Sequence, residues 1–212
     1  MAISKTEQTI LAYNKSAKRY NAKFADFVAY KEKIIEFGKG FIPKGARILD
    51  LGCGPGNNIT ILHSRDTSYS FTGVDLSTDL LNIAKENHPS STFLHQNICT
   101  LEVEANAEYE SILASFCVVH LTHVETKELI QYISKSLVQG GSLYISFMEG
   151  NSSGFESTSF SEDEIFFNYY QAADIIKMLS DCGLEVKQMS KQDYPEQDGS
   201  LTVDVFIFCS KS

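Results

Sequence analysis

"ILDLGCGPGNN", residues 48–58, sets Gly52, Gly54 and Gly56 within five positions, directly behind a short run of β-favouring residues. An acid, Asp50, stands two places before the first glycine. Glycine takes positive φ at little steric cost and lets the backbone approach a bound molecule closely. A glycine-rich turn between a strand and a helix is therefore a common seat for a nucleotide. The same turn can also be a bare connection, so the surrounding sequence has to decide.

Upstream, residues 6–37 read as one helix, with Tyr13 and Tyr20 on a face shared with Ala17 and Phe24. "ARILDLG" (46–52) reads as a buried strand and residues 57–64 as a helix. "SYSFTGVDLS" (68–77) is a second strand, followed by a helix that Ser77 caps and Pro89 stops. "STFLHQNI" (91–98) is a third strand. "YESILASFCVVH" (109–120) is a fourth, apolar nearly throughout and so buried on both faces. "THVETKELIQYISKSLVQ" is an amphipathic helix ended by Gly140 and Gly141, and "SLYISFME" (142–149) is a fifth strand. This alternation predicts an open, mostly parallel α/β sheet. Residues 150–164, rich in Ser, Gly and acids, read as a mobile loop. A helix near 171–182 and a closing hairpin around "PEQDG" complete a single domain over residues 1–212, with no internal repeat.

Composition narrows the function classes. The chain has 212 residues, 43% hydrophobic and 21% charged, which suits one globular domain. No apolar run reaches the length of a membrane span, and the polar start lacks a signal peptide's apolar stretch, so the expected setting is cytoplasmic with no membrane partner. A net charge of −9 repels phosphate backbones, which argues against a nucleic-acid partner. Five cysteines without a CxxC pair give neither a metal site nor a disulfide framework.

In such sheets ligands sit beyond the carboxyl ends of the strands. Asp50 would crowd a pyrophosphate by charge repulsion and suits an amino group instead. Asn57 stands where the third glycine of GxGxxG would fall, which argues against a nicotinamide-dependent oxidoreductase, an NAD(P) enzyme of the Rossmann type. Asp75, ending the second strand, can accept two hydrogen bonds from a ribose diol, or be a surface turn acid. Asn97 and Ile98 offer an edge and a face to an adenine, or simply end a strand.

"ILDLGCGPG", "GVDLS", "HQNI", "ILASFCVVHLT" and "LVQGGSLYIS" lie in the order and spacing of the class I S-adenosylmethionine-dependent methyltransferases, which the chain resembles over roughly residues 10–210. The resemblance implies a Rossmann-like, open, seven-stranded, mostly parallel sheet with helices on both faces and an antiparallel last strand. It implies S-adenosyl-L-methionine as cofactor, S-adenosyl-L-homocysteine as product and a small-molecule methyl acceptor. Asp50 and Gly52 would lie beside the methionine end of the cofactor, with Gly54 and Gly56 shaping the turn beneath. Asp75 would hold the ribose hydroxyls, with Leu76 against the adenine. Asn97 stands where the family usually has Asp, and Ile98 follows. Ala114 and Ser115 would line the methionine portion. Residues 1–40 would form a helical lid through Tyr20 and Tyr13, although both tyrosines also fit simple packing of the helix on the sheet.

The family often has a His at the place of His120, which is here either a general base or a packing residue. Residues 150–170 would form a substrate-side loop. Phe167, Tyr169 and Tyr170, within "DEIFFNYYQAADI", would wall the acceptor, or in part fill the core. A catalytically inactive S-adenosylmethionine-binding module is the remaining alternative. The sequence leaves the acceptor, the atom methylated and the choice of monomer or homodimer open.

Overall fold

The computed structural model describes residues 3–101, 108–196 and 199–212. Strands β1 (Arg47–Leu51), β2 (Ser70–Asp75), β3 (Thr92–His95), β4 (Tyr109–Ser115), β5 (Leu137–Glu149), β8 (Leu184–Pro195) and β9 (Leu201–Lys211) form one seven-stranded sheet in the order β3-β2-β1-β4-β5-β9-β8. Neighbours from β3 to β5 run parallel. The last strand, β9, runs antiparallel to both β5 and β8. A separate antiparallel pair, β6 (Ser153–Glu156) and β7 (Ile165–Asn168), stands beside the sheet. The doubly wound sheet with an antiparallel last strand is thus as expected from the alternation and the closing hairpin. The tip of that hairpin at residues 197–198 lies outside the described residues.

The central strands bury both faces, and their side chains divide by period two. Leu49, Leu51, Ile112, Ala114, Ile145, Phe147 and Ile207 pack with α5 (His123–Ser136) and α6 (Ala172–Asp181). Ile48, Leu113, Tyr144, Phe206 and Phe208 pack with Ile34 and Phe37 of α2 (Val28–Phe41) and Ile59 and Leu62 of α3 (Asn57–His63). Helix α1 (Lys5–Phe24) lies outside this frame, against α4 (Thr78–Asn87) and β7. Ser77, the cap of α4, accepts from Leu80 N–H and donates to Asn14 Oδ1 of α1 at 2.6 Å, which ties the two helices together.

Four sequence expectations change. The single helix at 6–37 is two, because the chain turns at residues 25–27 and brings the Phe24 and Phe27 rings onto Tyr30 (centroids 6.3 and 4.6 Å). The second of them runs past the expected end at 37, through Gly38 and Gly40, to Phe41. Gly140 and Gly141 do not terminate α5, which stops at Ser136. They lie inside β5, where Gly140 at φ +75° accompanies a register shift against β4. Within 150–164, residues expected as mobile loop hold strand β6.

Candidate functional site

Three glycines of the turn after β1 have positive φ: +65° at Gly52, +53° at Gly54 and +85° at Gly56. Two positions are also sterically closed to a side chain. A Cβ on Gly52 would lie 2.6 Å from Cys117 Cβ, and one on Gly56 would lie 2.8 Å from the His88 ring. At Gly54 only Tyr20 comes within 4 Å, at 3.8 Å, so the space over this residue is open.

Asp75 closes the turn from the neighbouring strand. Its Oδ2 accepts from Gly54 N–H (2.9 Å) and its Oδ1 from Ser77 N–H (2.8 Å). Burial raises its pKa and these backbone donors work against the rise. Each oxygen still has a lone pair to offer. Asp50 is fully buried beneath the turn and takes only the Asn58 amide, at 3.1 and 3.4 Å. Burial pushes its carboxyl up to about 7, with the Asn58 bond pulling the other way.

Two cavities open above this floor. A groove of about 130 Å³ runs past Gly52, Gly54, Asp75, Leu76, Asn97, Ile98 and Ser115. A chamber of about 980 Å³ extends away between α1, α2, the β6–β7 region and the β8–β9 hairpin. Tyr13, Tyr20, Gly52, Gly54, Ser115, Phe116 and His120 line both, so the two spaces meet at these residues. The rings of Tyr13, Tyr20, Phe24 and Phe160 pack edge and face at the junction, with centroids 4.9–5.9 Å apart.

His120 belongs to a short 3-10 turn after β4, and both of its nitrogens are engaged. Nδ1 lies 2.8 Å from the Phe166 carbonyl oxygen, which can only accept. Nδ1 therefore carries the hydrogen, and Nε2 accepts from Tyr13 Oη at 3.0 Å. Burial lowers the imidazole pKa to about 4, so the ring is neutral near pH 7. Burial raises the Tyr13 phenol well above its ordinary value. The pair can thus pass a proton inward: Tyr13 Oη gives its hydrogen to Nε2 as it takes one from a bound molecule.

Among the residues singled out from the sequence, Tyr20, Gly52, Gly54, Asp75, Leu76, Asn97, Ile98 and Ser115 line the groove. Asp50, Gly56 and Ala114 line neither cavity. Phe167 and Tyr169 line the chamber. Tyr170, expected beside them, is fully buried, lines neither cavity and donates to the Leu121 carbonyl at 2.7 Å. The reason is alternation: along the extended chain at β7, residues 167 and 169 face the chamber while Asn168 and Tyr170 turn inward, and Asn168 also bonds the Leu121 carbonyl.

Sequence reasoning missed Phe116, Tyr30, Phe160 and Asp204 in the chamber wall, whereas the tyrosine of "KQDYP", Tyr194, reaches the chamber as its sequence reading allowed. Phe116 is the one non-glycine at positive φ (+50°) among the described residues, held there by Ser146, whose Oγ and carbonyl oxygen accept from its N–H (3.0 and 3.2 Å). The acids and rings of "QDYPEQDGSLTVD" carry no local pattern that marks a site. Only pairing of β8 with β9 brings them to the chamber.

Comparison with known proteins agrees with this geometry. A family model described as a methyltransferase domain matches residues 48–141, which run from β1 into β5. The trans-aconitate 2-methyltransferase of Rhodopseudomonas palustris (strain BisA53) is 37% identical over 81 residues, covering 37% of this chain and 32% of that protein. The chain spans about a third of the length of the curated relatives it matches. The magnesium protoporphyrin IX methyltransferase of Synechocystis PCC 6803, solved with bound S-adenosylmethionine, superposes with a TM-score of 0.72 at 16% identity, covering 100% of this chain and 99% of that one. The 1,6-didemethyltoxoflavin-N1-methyltransferase of Burkholderia thailandensis gives a TM-score of 0.69 at 16% identity, covering 100% and 92%. At these identities the likeness is one of fold.

Proposed function

We propose that this chain, which belongs to the class I S-adenosylmethionine-dependent methyltransferases, binds S-adenosylmethionine in the groove and methylates a small molecule held in the chamber. The observation that carries this reading is the meeting of a narrow groove and a wide chamber at Gly52, Gly54, Ser115 and the Tyr13–His120 pair. Two molecules that must react need such a junction.

The groove's residues fit the cofactor. Asp75 keeps free lone pairs for the ribose hydroxyls, and Leu76 and Ile98 offer apolar faces to the adenine. Asn97 gives its side-chain oxygen to Cys99 N–H at 2.9 Å, which leaves the amide NH2 as a donor toward the base. The open backbone at Gly54 admits close approach, and the buried, under-bonded Asp50 favours positive charge nearby. When bound, S-adenosylmethionine supplies an electrophilic sulfonium methyl, and its carbon–sulfur electron pair stays with sulfur as an acceptor lone pair takes the methyl.

The protein's share is positioning, exclusion of water and a place for a proton. Positioning alone can lower a barrier by about 7–11 kcal/mol. Tyr20, Phe24 and Phe160 seal the junction from solvent. Tyr13 and His120 receive a proton from an acceptor that must lose one. Helix α1 and the 156–164 segment form the cover, joined by Lys15–Asp163 and Arg19–Glu162 ion pairs at 3.0 Å. A small-molecule acceptor is supported by the names of a relative and of a fold neighbour, which give trans-aconitate and 1,6-didemethyltoxoflavin.

Thermal unfolding with and without added ligands tests the reading. S-adenosylhomocysteine should stabilise the protein by about 2.7 kcal/mol at a hundredfold excess over its Kd, and NAD should not. Stabilisation by NAD alone would return the oxidoreductase reading. Cofactor binding without transfer of labelled methyl to any component of a metabolite extract would favour an inactive binding module.

A further inference from the structure

Of the chamber's acids, Asp204 is the most deeply set. It sits in β9 across from Met148 of β5 and is 2% exposed. Its Oδ2 accepts from Tyr30 Oη at 2.8 Å, and among the described residues its Oδ1 has no hydrogen-bond partner. A buried carboxylate with one neutral donor is an under-satisfied charge, and native proteins seldom keep one without use.

Its surroundings are aromatic. Tyr30 packs against Phe27 (4.6 Å), Phe116 (4.8 Å) and Tyr194 (6.4 Å), and all four line the chamber. Ring faces attract cations, and Lys23 already lies over Phe24 and Tyr194 at 5.1 and 5.8 Å. Of the other charges in the wall, Lys31 alone has an opposite partner among the described residues, and the rest bond neutral hydroxyls. Lys23 bonds the Ser159 hydroxyl, and Lys31 lies 3.7 Å from Asp26. Glu156 accepts from Tyr169 Oη (2.9 Å), and Glu196 accepts from the Thr202 hydroxyl (2.7 Å). The wall's carboxylates outnumber its cations, and the most deeply buried of them is Asp204.

We propose that the methyl acceptor is an amine with an apolar body, anchored through its ammonium group by Asp204 and the surrounding rings. This rests on the methyltransferase reading and adds the substrate class to it. A polyanionic acceptor, such as the one named for the trans-aconitate relative, would meet three carboxylates, Glu156, Glu196 and Asp204, against Lys23 as the one wall cation without an acidic partner among the described residues. Burial, opposed by the Tyr30 hydrogen bond and reinforced by Glu196, pushes the Asp204 carboxyl up to about 7. An ammonium against it reverses that penalty.

The test is calorimetric binding of 2-phenylethylamine and 3-phenylpropionate to the full chain in saturating S-adenosylhomocysteine. The two probes match in size and differ in charge. The amine should bind at least about tenfold tighter than the carboxylate, the low end for a hydrogen bond to a charged group. Asp204→Asn keeps the side chain's shape and an oxygen for Tyr30, and should remove that preference while leaving S-adenosylhomocysteine binding unchanged. Equal or tighter binding of the carboxylate, no amine binding at millimolar concentration, or an unchanged preference in the variant would overturn the amine assignment alone. Failure of S-adenosylhomocysteine to bind the unaltered chain would overturn the methyltransferase reading and the assignment with it.

Discussion

The groove draws its wall from strand ends and their first turns: residues 52–54 after β1, 75–77 after β2, 96–99 after β3 and 115–121 after β4, with α1 across them. The chamber gathers its wall from residues 13–34, 156–169 and 194–204, which meet only after the hairpins and the two N-terminal helices have docked. In the groove the backbone carries the geometry, through positive φ and N–H groups fixed on Asp75. In the chamber side chains carry it, through packed rings and one deep carboxylate. A fixed ligand suits the first kind of wall, because backbone geometry changes little with sequence. A variable one suits the second, because rings and charges can be exchanged without refolding the sheet.

That contrast can be broken most sharply at Gly52. Gly52→Val adds a side chain where φ is +65° and Cys117 Cβ would lie 2.6 Å away. Left-handed strain and overpacking together should cost roughly 2–5 kcal/mol of stability and abolish S-adenosylhomocysteine binding, read by denaturant unfolding and calorimetry. A variant with wild-type affinity would show that the turn does not shape the groove.

His120 tests the junction. His120→Gln should lower kcat by about 10²–10⁴-fold for an acceptor that must lose a proton, and leave cofactor affinity within a few-fold. The acid limb of the wild-type kcat profile should fall near pH 4, below the ordinary histidine value of about 6.5, because burial has lowered the ring's pKa. A limb near 6.5 would mean that the ring titrates in contact with solvent.

Asp75→Ala separates the two walls by a smaller amount. Cofactor binding should weaken by about 1.5–3 kcal/mol, while probes of the chamber bind as before. Equal loss at both would show that the two walls are one cooperative unit.

The smallest expected effect concerns stability against pH without ligand. Asp50, pushed up to about 7 when folded against about 3.9 when unfolded, contributes stability that is full below pH 4 and is lost as pH rises through 7. Asp50→Asn should flatten the fall in Tm between pH 4 and pH 8. An unchanged slope would assign it to Asp204 or Asp75, which burial shifts in the same direction.

Legibility followed the same division. β1, β2 and β4, α4 and its Ser77 cap, and the closing hairpin were readable because period, caps and turn residues lie within a few positions of each other. The groove was readable for the same reason, since "LDLGCGPG", "GVDLS" and "HQNI" each hold adjacent residues at one strand end. Asp50 was legible as a residue but not as a position. Its place beneath the turn, bonded to Asn58, depends on how α3 enters. The 165–170 aromatics were legible as wall or core residues but not by their facing, and extended backbone there turned Tyr170 inward and left Tyr169 in the chamber. Tyr30, Phe160 and Asp204 lie more than forty residues from one another, and no local pattern joins them. The break at residues 25–27, which puts Tyr30 beside Asp204, is a packing outcome of rings rather than a glycine or proline signal.

The ion pairs that join α1 to the 156–164 segment have a kinetic consequence. Lys15, Arg19, Glu162 and Asp163 are 48–66% exposed, so each pair holds by at most about 1 kcal/mol and weakens as salt shortens the Debye length to about 8 Å at 0.15 M. The proposed cofactor contact runs instead to Asp75, a buried carboxylate fixed by two backbone N–H groups, where salt screens much less. On the proposed function, added salt is therefore expected to act on traffic and not on affinity: entry and exit past α1 should quicken, and turnover limited by product release should rise while the cofactor's Kd stays flat.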